Sequence, residues 1–144
     1  MKSPRRNLSL AAILLILVLI QLAPVKRSNP PVETEITAPD NVKAILHKAC
    51  YDCHSNLTVW PWYSSIAPVS WLLVSDVTEG RDELNFTTWN RYPAKKQSAK
   101  RKKVWEEVKD GEMPPLTYRL MHPKARLSEG EKEELRSWAT APGT

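Results

Sequence analysis

The two cysteines of this chain constrain its structure more than any other feature. They are Cys50 and Cys53 in a sequence of 144 residues, and His54 follows the second cysteine directly. Two cysteines on their own can form neither a disulfide framework nor a four-thiolate zinc site. They therefore act as one pair, and the fold must hold that pair in a fixed place.

The Cys-Tyr-Asp-Cys-His sequence at 50–54 is typical of covalent c-type haem attachment. Two thiols three positions apart on a helical turn can reach the two vinyl groups of one porphyrin and form thioether bonds. The histidine after the second thiol is carried beneath the ring, where it can ligate the iron. The pattern predicts one covalent haem c per chain, bound through Cys50 and Cys53, with His54 as the proximal iron ligand.

Two other interpretations of the motif stay open at this point. A redox-active dithiol of the thioredoxin type is expected in a β-α-β setting, which the sequence lacks, and the same pair could instead form a structural disulfide. A Cys₂His zinc site would need a fourth ligand.

The sixth iron position has few candidate ligands, because the chain contains three methionines and three histidines. Met113 precedes two prolines, which stiffen an extended loop that can hold a thioether against the open haem face. We predict Met113 as the distal iron ligand, with Met121 and His122 as rivals from the other end of the loop. His47 is expected to face solvent or to pack beside the ring, and the alternative role for Met113 is to fill the core.

The N-terminus combines a basic head with a run of sixteen nearly unbroken apolar residues at 8–23. The run is short for a membrane span of about 20 residues. Ala23 is the only small residue near its end, and Pro24 follows it, which disfavours cleavage by signal peptidase. Residues 1–27 are therefore predicted to be an uncleaved transmembrane anchor. The predicted location is the bacterial inner membrane, as a single-pass protein with its haem domain facing the periplasm or exterior.

Charge is unevenly distributed along the chain. The net charge of +5 lies entirely in residues 1–27, because residues 28–144 carry 16 basic and 16 acidic side chains. The overall pI of about 9.3 therefore gives no support to nucleic-acid binding. One local exception is the run at 95–103, with six basic residues in nine. It could steer an acidic electron-transfer partner, touch anionic lipid, or form a solvated helix face.

The remaining pattern predicts an extended linker followed by one helical domain. Residues 28–39 contain three prolines and no periodicity, and residues 40–144 form the predicted c-type haem-binding domain. Apolar spacing and capping signals predict four helices in that domain, running from Asp40 into Cys50, from about 68 to 79 with Gly80 as the stop, from about 96 to 110, and after a capping box of Ser128 and Glu131. No alternating strand pattern occurs. The predicted fold class is all-α, a small cytochrome c-like helical domain around one covalent haem, preceded by an N-terminal transmembrane helix.

Blocks outside the motif resemble a known family. The sequence at 50–56, the Trp-Pro-Trp-Tyr block at 60–63, the Ala-Pro-Val-Ser-Trp block at 67–71 and the Gly-Glu-Met-Pro-Pro block at 111–115 are similar to the haem-binding domain family of small exported bacterial proteins. The resemblance covers about residues 40–139. It implies covalent haem at Cys50 and Cys53 with His54 as proximal ligand and a methionine such as Met113 on the distal side. We also expect Trp60 and Trp62 to lie near the haem edge.

These features predict a membrane-anchored c-type haem protein that transfers one electron in the periplasm, with the membrane and a redox protein as partners. The alternative is a haem-based sensor or binding module for small ligands, with a labile or vacant sixth position. A peroxidase-like enzyme would need a distal acid or base, for which His122 is the candidate. No Ser/His/Asp, phosphate-loop or paired-carboxylate pattern occurs, so an independent hydrolase is unsupported. The chain is predicted not to be an enzyme, with peroxidase-like activity left open.

Overall fold

The computed structural model describes residues 4–141, which are mainly helical. Seven α-helices occur in this range: α1 Pro4–Leu19, α2 Asp40–Ala49, α3 Tyr51–His54, α4 Val69–Glu83, α5 Ala94–Lys109, α6 Leu116–Met121 and α7 Glu129–Thr140. Short 3₁₀ turns occur at Ile20–Leu22, Trp62–Ser65, Trp89–Arg91 and Pro123–Ala125. The helical content agrees with the all-α expectation. Residues 1–3 and 142–144, which belong to the predicted segments 1–27 and 40–144, lie outside the described range.

The predicted transmembrane helix is wrong. Across residues 4–141, no helix combines the length and the apolar character needed to cross a membrane. α1 has 16 residues, which corresponds to about 24 Å at 1.5 Å per residue, whereas a hydrocarbon core is about 30 Å thick. The predicted membrane partner and the single-pass inner-membrane location facing the periplasm therefore fail with it.

The end of the apolar run contacts the folded domain. The Gln21 side chain donates to the Ala67 carbonyl oxygen and accepts from the Ala67 amide, both at 3.0 Å. The Trp71 indole donates to the Ala23 carbonyl oxygen at 2.9 Å. Residues counted as part of a span thus have their polar groups bonded to the domain.

Residues 28–39 contain no helix and lie against the domain. Ile36 is buried in the main core, and an isolated parallel bridge joins Thr34 to Thr88. The Arg81 guanidinium donates to the Ser28 carbonyl oxygen at 2.8 Å. The extended segment is in this way held by backbone hydrogen bonds to the loop after α4 and by the Arg81 side chain.

The main core lies between α2, α5 and α7, and α7 contacts both of the other helices. Leu46 of α2 and Leu135 of α7 have no exposed surface, and neither does Phe86 in the loop after α4. Full burial of each such side chain contributes about 1.5–3 kcal/mol. Because α3 follows directly after α2, this core fixes the position of the cysteine motif.

The predicted helices occur with shifted ends. α4 runs to Glu83, beyond the predicted stop at Gly80, so that Gly80 lies inside the helix. The capping box at the start of α7 is confirmed, since the Ser128 side chain accepts from the Glu131 amide and the Glu131 carboxylate accepts from the Ser128 amide. Asp40 lies in the first turn of α2, whereas Pro39 occupies the N-cap position.

Candidate functional site

A cavity of about 730 Å³ lies among α3, α4, α5 and α6. This volume falls in the range of about 300–1,000 Å³ that is typical of cofactor sites. The cavity is lined by the predicted site residues Cys50, Cys53, His54 and Met113 and by the rival ligands Met121 and His122. Many of its walls are apolar, including Val69, Leu72, Leu73, Val77, Leu84 and Val104. The structure therefore gathers around one space residues that the sequence separates by up to 72 positions.

The cysteine motif forms a single helical turn. α2 ends at Ala49, and the amides of Cys53 and His54 both donate to the Cys50 carbonyl oxygen, at 3.2 and 2.9 Å. Residues three apart on a helical turn share a face. Both thiols consequently lie on the cavity side of α3, followed at once by the imidazole.

The two thiols are free and poorly ionised. Burial raises the pKa of Cys50 to about 12, with a further contribution from Cys53. Burial likewise raises the pKa of Cys53 to about 11. A redox-active dithiol depends on a lowered thiol pKa, so this environment counts against that interpretation. Among residues 4–141, no group of three or more histidine, cysteine or carboxylate side chains is placed to hold a metal ion, which leaves the zinc interpretation without a ligand set.

His54 is oriented by the backbone of α4. Its Nδ1 lies 2.7 Å from the carbonyl oxygen of Gly80 and 3.1 Å from that of Leu84. Carbonyl oxygens only accept, so Nδ1 carries the proton and donates to both. Burial lowers the pKa of His54, which keeps the ring neutral. A neutral imidazole with its proton on Nδ1 presents the lone pair of Nε2, the form in which histidine ligates metals.

Gly80 permits the close approach of α4 to α3. A Cβ atom at this position would lie 2.7 Å from the carbonyl oxygen of Cys53 and 3.2 Å from the Cβ of Cys53. Both distances are shorter than ordinary van der Waals contact. Only a residue without a side chain therefore lets the Gly80 carbonyl reach His54 at this separation.

Two tyrosines connect the loop at 113–122 to the rest of the cavity wall. The Tyr118 hydroxyl donates to the carboxylate of Asp52 at 2.7 Å, and burial followed by this bond raises the pKa of Tyr118. The Tyr63 hydroxyl shares a hydrogen bond of 2.7 Å with Nε2 of His122. α6 contributes no buried residue of its own, so these bonds hold it over the cavity.

A comparison with protein families decides the identity of the chain. The model of the haem-binding domain family matches residues 15–141, which is most of the 144-residue sequence. The chain belongs to the haem-binding domain family. The resemblance based on the residue blocks is thereby confirmed. The protein is a haem-binding protein. No curated protein and no solved structure matches the chain.

The candidate distal ligands of this haem-binding domain differ in their surroundings. Met113 is 36% exposed and Met121 is 58% exposed, and both line the cavity. His122 also lines the cavity, but its Nε2 is bonded to Tyr63. His47 is exposed, stacks on Tyr51 at 3.7 Å between ring centroids, and lies outside the cavity lining.

Two residues predicted to lie near the haem do not line the cavity, and a neighbouring residue that was not predicted does. Trp62 is 75% exposed, and the Trp60 indole donates to Asn29 at 3.0 Å, so that neither tryptophan lines the cavity. Their neighbour Tyr63 does line it. Asp52 and Gly80 also line the cavity, although neither was predicted from the sequence as part of the site. The position of Asp52 between the two cysteines is the one sequence signal that could have placed it in the site. The contact of Gly80 with α3 cannot be predicted from the residues around Gly80.

Proposed function

We propose that this protein is a c-type haem protein that carries one electron. In this proposal Cys50 and Cys53 hold the porphyrin through two thioether bonds, and Nε2 of His54 binds the iron. The pair of hydrogen bonds from His54 Nδ1 to the carbonyls of Gly80 and Leu84 carries the argument. They leave Nε2 as the free ring nitrogen of a side chain that lines the cavity next to both thiols.

The residues present fit such a group in size and chemistry. The cavity has a volume of about 730 Å³ and apolar walls on α4 and α5, which suit the flat apolar body of a porphyrin. Bound haem supplies a reversible one-electron change at its iron. The apolar side chains exclude water from the ring, and the two carbonyls raise the basicity of the His54 imidazole through its Nδ1 proton.

We propose Met113 as the distal iron ligand. It lines the same cavity as His54 and is less exposed than Met121. The rival His122 has its Nε2 engaged by the Tyr63 hydroxyl.

Haem attachment is tested by producing the protein in a bacterial host that matures c-type cytochromes. We expect a pyridine haemochrome of the c type, and haem that stays on the chain in denaturing electrophoresis. Cys50→Ala and Cys53→Ala should each remove one thioether bond and change the haemochrome. His54→Ala should lose the proximal ligand, while His47→Ala, on an exposed histidine outside the cavity, should match the unaltered protein. Colourless protein with two free thiols would overturn the proposal.

Carbon monoxide separates an electron carrier from a small-ligand sensor. A reduced protein with Met113 on the iron should keep its spectrum nearly unchanged when carbon monoxide is added, because the sixth position is filled. Rapid and complete spectral conversion at low carbon monoxide concentration would contradict the carrier role and favour ligand sensing.

A further inference from the structure

The charge of the domain is concentrated on one helix. Residues 28–144 carry 16 basic and 16 acidic side chains, and six of the basic ones lie in the run at 95–103. The remainder of this region therefore has 10 basic and 16 acidic side chains. Residues 28–144, which have no net charge in total, thus carry a net +6 on one segment and a net −6 elsewhere in the sequence.

This basic run forms the N-terminal half of α5 and reaches the cavity. Lys100 and Lys103 both line the cavity, and Lys95, Lys96 and Lys102 are exposed on the same helix. The cavity is also lined by five acidic residues, Asp52, Asp76, Glu79, Glu83 and Glu107. The positive surface is therefore the exposed part of the run, which borders the cavity proposed for haem.

The positive charge of the run is compensated only in part. Within the described part of the chain, its one ion pair joins Lys103 to Glu83 at 3.4 Å, and both side chains are more than half exposed. Exposed pairs of this kind contribute little and are screened by salt. Lys100 donates to the backbone carbonyl oxygen of Glu83, and Lys96 and Lys100 lie over the Tyr92 ring at 5.4 and 5.0 Å. These contacts fix side chains without cancelling their charge.

We propose that the N-terminal half of α5 is the docking surface for a redox protein with an acidic face. The inference rests on the proposed electron-carrier function. In the exchange, the ferrous iron loses one electron and the metal or flavin centre of the partner gains it, and no bond or proton moves. The basic surface raises the encounter rate with the acidic face and orients that face towards the cavity.

The local charge at the electron-transfer edge can be measured with small oxidants of opposite sign. Stopped-flow oxidation of the reduced protein by anionic hexacyanoferrate(III) should slow as salt is added, whereas oxidation by cationic tris(phenanthroline)cobalt(III) should accelerate. The net charge of +5 of the whole chain would give trends of the same sign, so charge-reversal variants are needed to assign them to the basic run. At low salt, Lys96→Glu with Lys102→Glu should lower the hexacyanoferrate rate about tenfold, a fall within the range expected of electrostatic steering.

The matched control changes the same number of charges elsewhere. Lys124→Glu with Arg126→Glu alters two exposed residues that lie outside α5 and its basic run. This control should change the hexacyanoferrate rate by less than about twofold, because its charges do not belong to the proposed docking surface. Equal effects of the two double variants would overturn the docking surface, because net charge alone would then explain the rates.

An acidic polypeptide tests for the class of partner. Polyglutamate should inhibit hexacyanoferrate oxidation of the unaltered protein at low salt and have no effect on the Lys96→Glu, Lys102→Glu variant. If phosphatidylserine vesicles inhibit and polyglutamate does not, the surface binds lipid and the proposal is wrong. Every variant is first assayed for its pyridine haemochrome. Absence of haem refutes the proposed function, whereas loaded, redox-active variants with unchanged rates refute only the docking surface.

Discussion

Replacement of Gly80 by alanine tests the close contact that orients His54. The added Cβ would lie 2.7 Å from the carbonyl oxygen of Cys53 and 3.2 Å from its carbonyl carbon. These are backbone atoms, which cannot rotate away as the end of a long side chain can. α4 must therefore move away from α3, and the carbonyl of Gly80 must move with it.

The expected change in stability is the difference between two effects. Overpacking of this kind costs about 1–3 kcal/mol, and a contact with backbone belongs in the upper half of that range. Alanine in a helix interior is favoured over glycine by about 1 kcal/mol. The free energy of unfolding of Gly80→Ala should consequently fall by about 1–2 kcal/mol. With a urea slope of roughly 2 kcal/mol/M, the midpoint should fall by about 0.5–1 M.

Gly130→Ala is the matched control, because Gly130 also lies in a helix. Its added Cβ would have the Ser128 hydroxyl oxygen as its nearest neighbour, at 4.0 Å. Only the helix-propensity effect applies there, so its free energy of unfolding should rise by up to about 1 kcal/mol. Urea unfolding of the haem-loaded proteins, followed by far-ultraviolet circular dichroism, measures both variants.

The reduction potential distinguishes a positional effect from simple destabilisation. A longer hydrogen bond from His54 Nδ1 to the carbonyl of residue 80 would make the imidazole a weaker electron donor, so the potential of Gly80→Ala should rise. Gly130→Ala should leave the potential unchanged. If Gly80→Ala is as stable as the unaltered protein and has the same potential, the argument for a close contact at this position is refuted.

Three further predictions concern Tyr118 and Met113, in the segment at 113–122 that borders the cavity, and the buried Asn85. Tyr118→Phe removes the 2.7 Å hydrogen bond to the Asp52 carboxylate. It should lower the free energy of unfolding by about 1–2 kcal/mol and accelerate carbon monoxide binding to the reduced protein. An unchanged binding rate would show that this bond does not hold the segment at 113–122 over the cavity. Met113→Ala should abolish the long-wavelength charge-transfer band of iron–thioether ligation in the oxidised protein; loss of that band in Met121→Ala instead would transfer the distal role to the other methionine. Asn85 is buried, and its side chain makes three hydrogen bonds of 2.8–2.9 Å. Asn85→Ala should therefore lower the free energy of unfolding by about 2–3 kcal/mol in urea titrations. A loss below about 0.5 kcal/mol, the level of a surface substitution, would contradict the importance of these bonds.

The local elements of the fold could be predicted because their signals lie within a few residues. The capping box at Ser128 and Glu131 depends on a spacing of three, and the amphipathic stretch before Cys50 depends on the helical period. The position of Gly80 shows the limit of such signals. Glycine after an apolar stretch is a common stop signal, yet α4 continues to Glu83. Residue 80 lies where α4 packs on Cys53, and a Cβ atom there would clash with the Cys53 carbonyl.

The N-terminal segment shows a different limit. An unbroken apolar run is typical of a membrane span, and the bonds of Gln21 and Ala23 to the folded domain depend on residues more than forty positions away. A hydropathy profile contains no information about those hydrogen bonds or about the end of α1 at Leu19. The predicted anchor was wrong for this reason.

For the site, the sequence by itself determined the chemistry on offer: two thiols and an imidazole on one helical turn, and a short set of methionines and histidines that could face them. This followed from covalent spacing, because the reach of side chains on one turn is independent of the rest of the chain. Only the tertiary structure decided that Nδ1 of His54 donates to two carbonyls of α4, that Tyr63 engages His122, and that the basic half of α5 borders the cavity. Those relations join residues distant in sequence, and packing of the helices alone brings them within bonding distance.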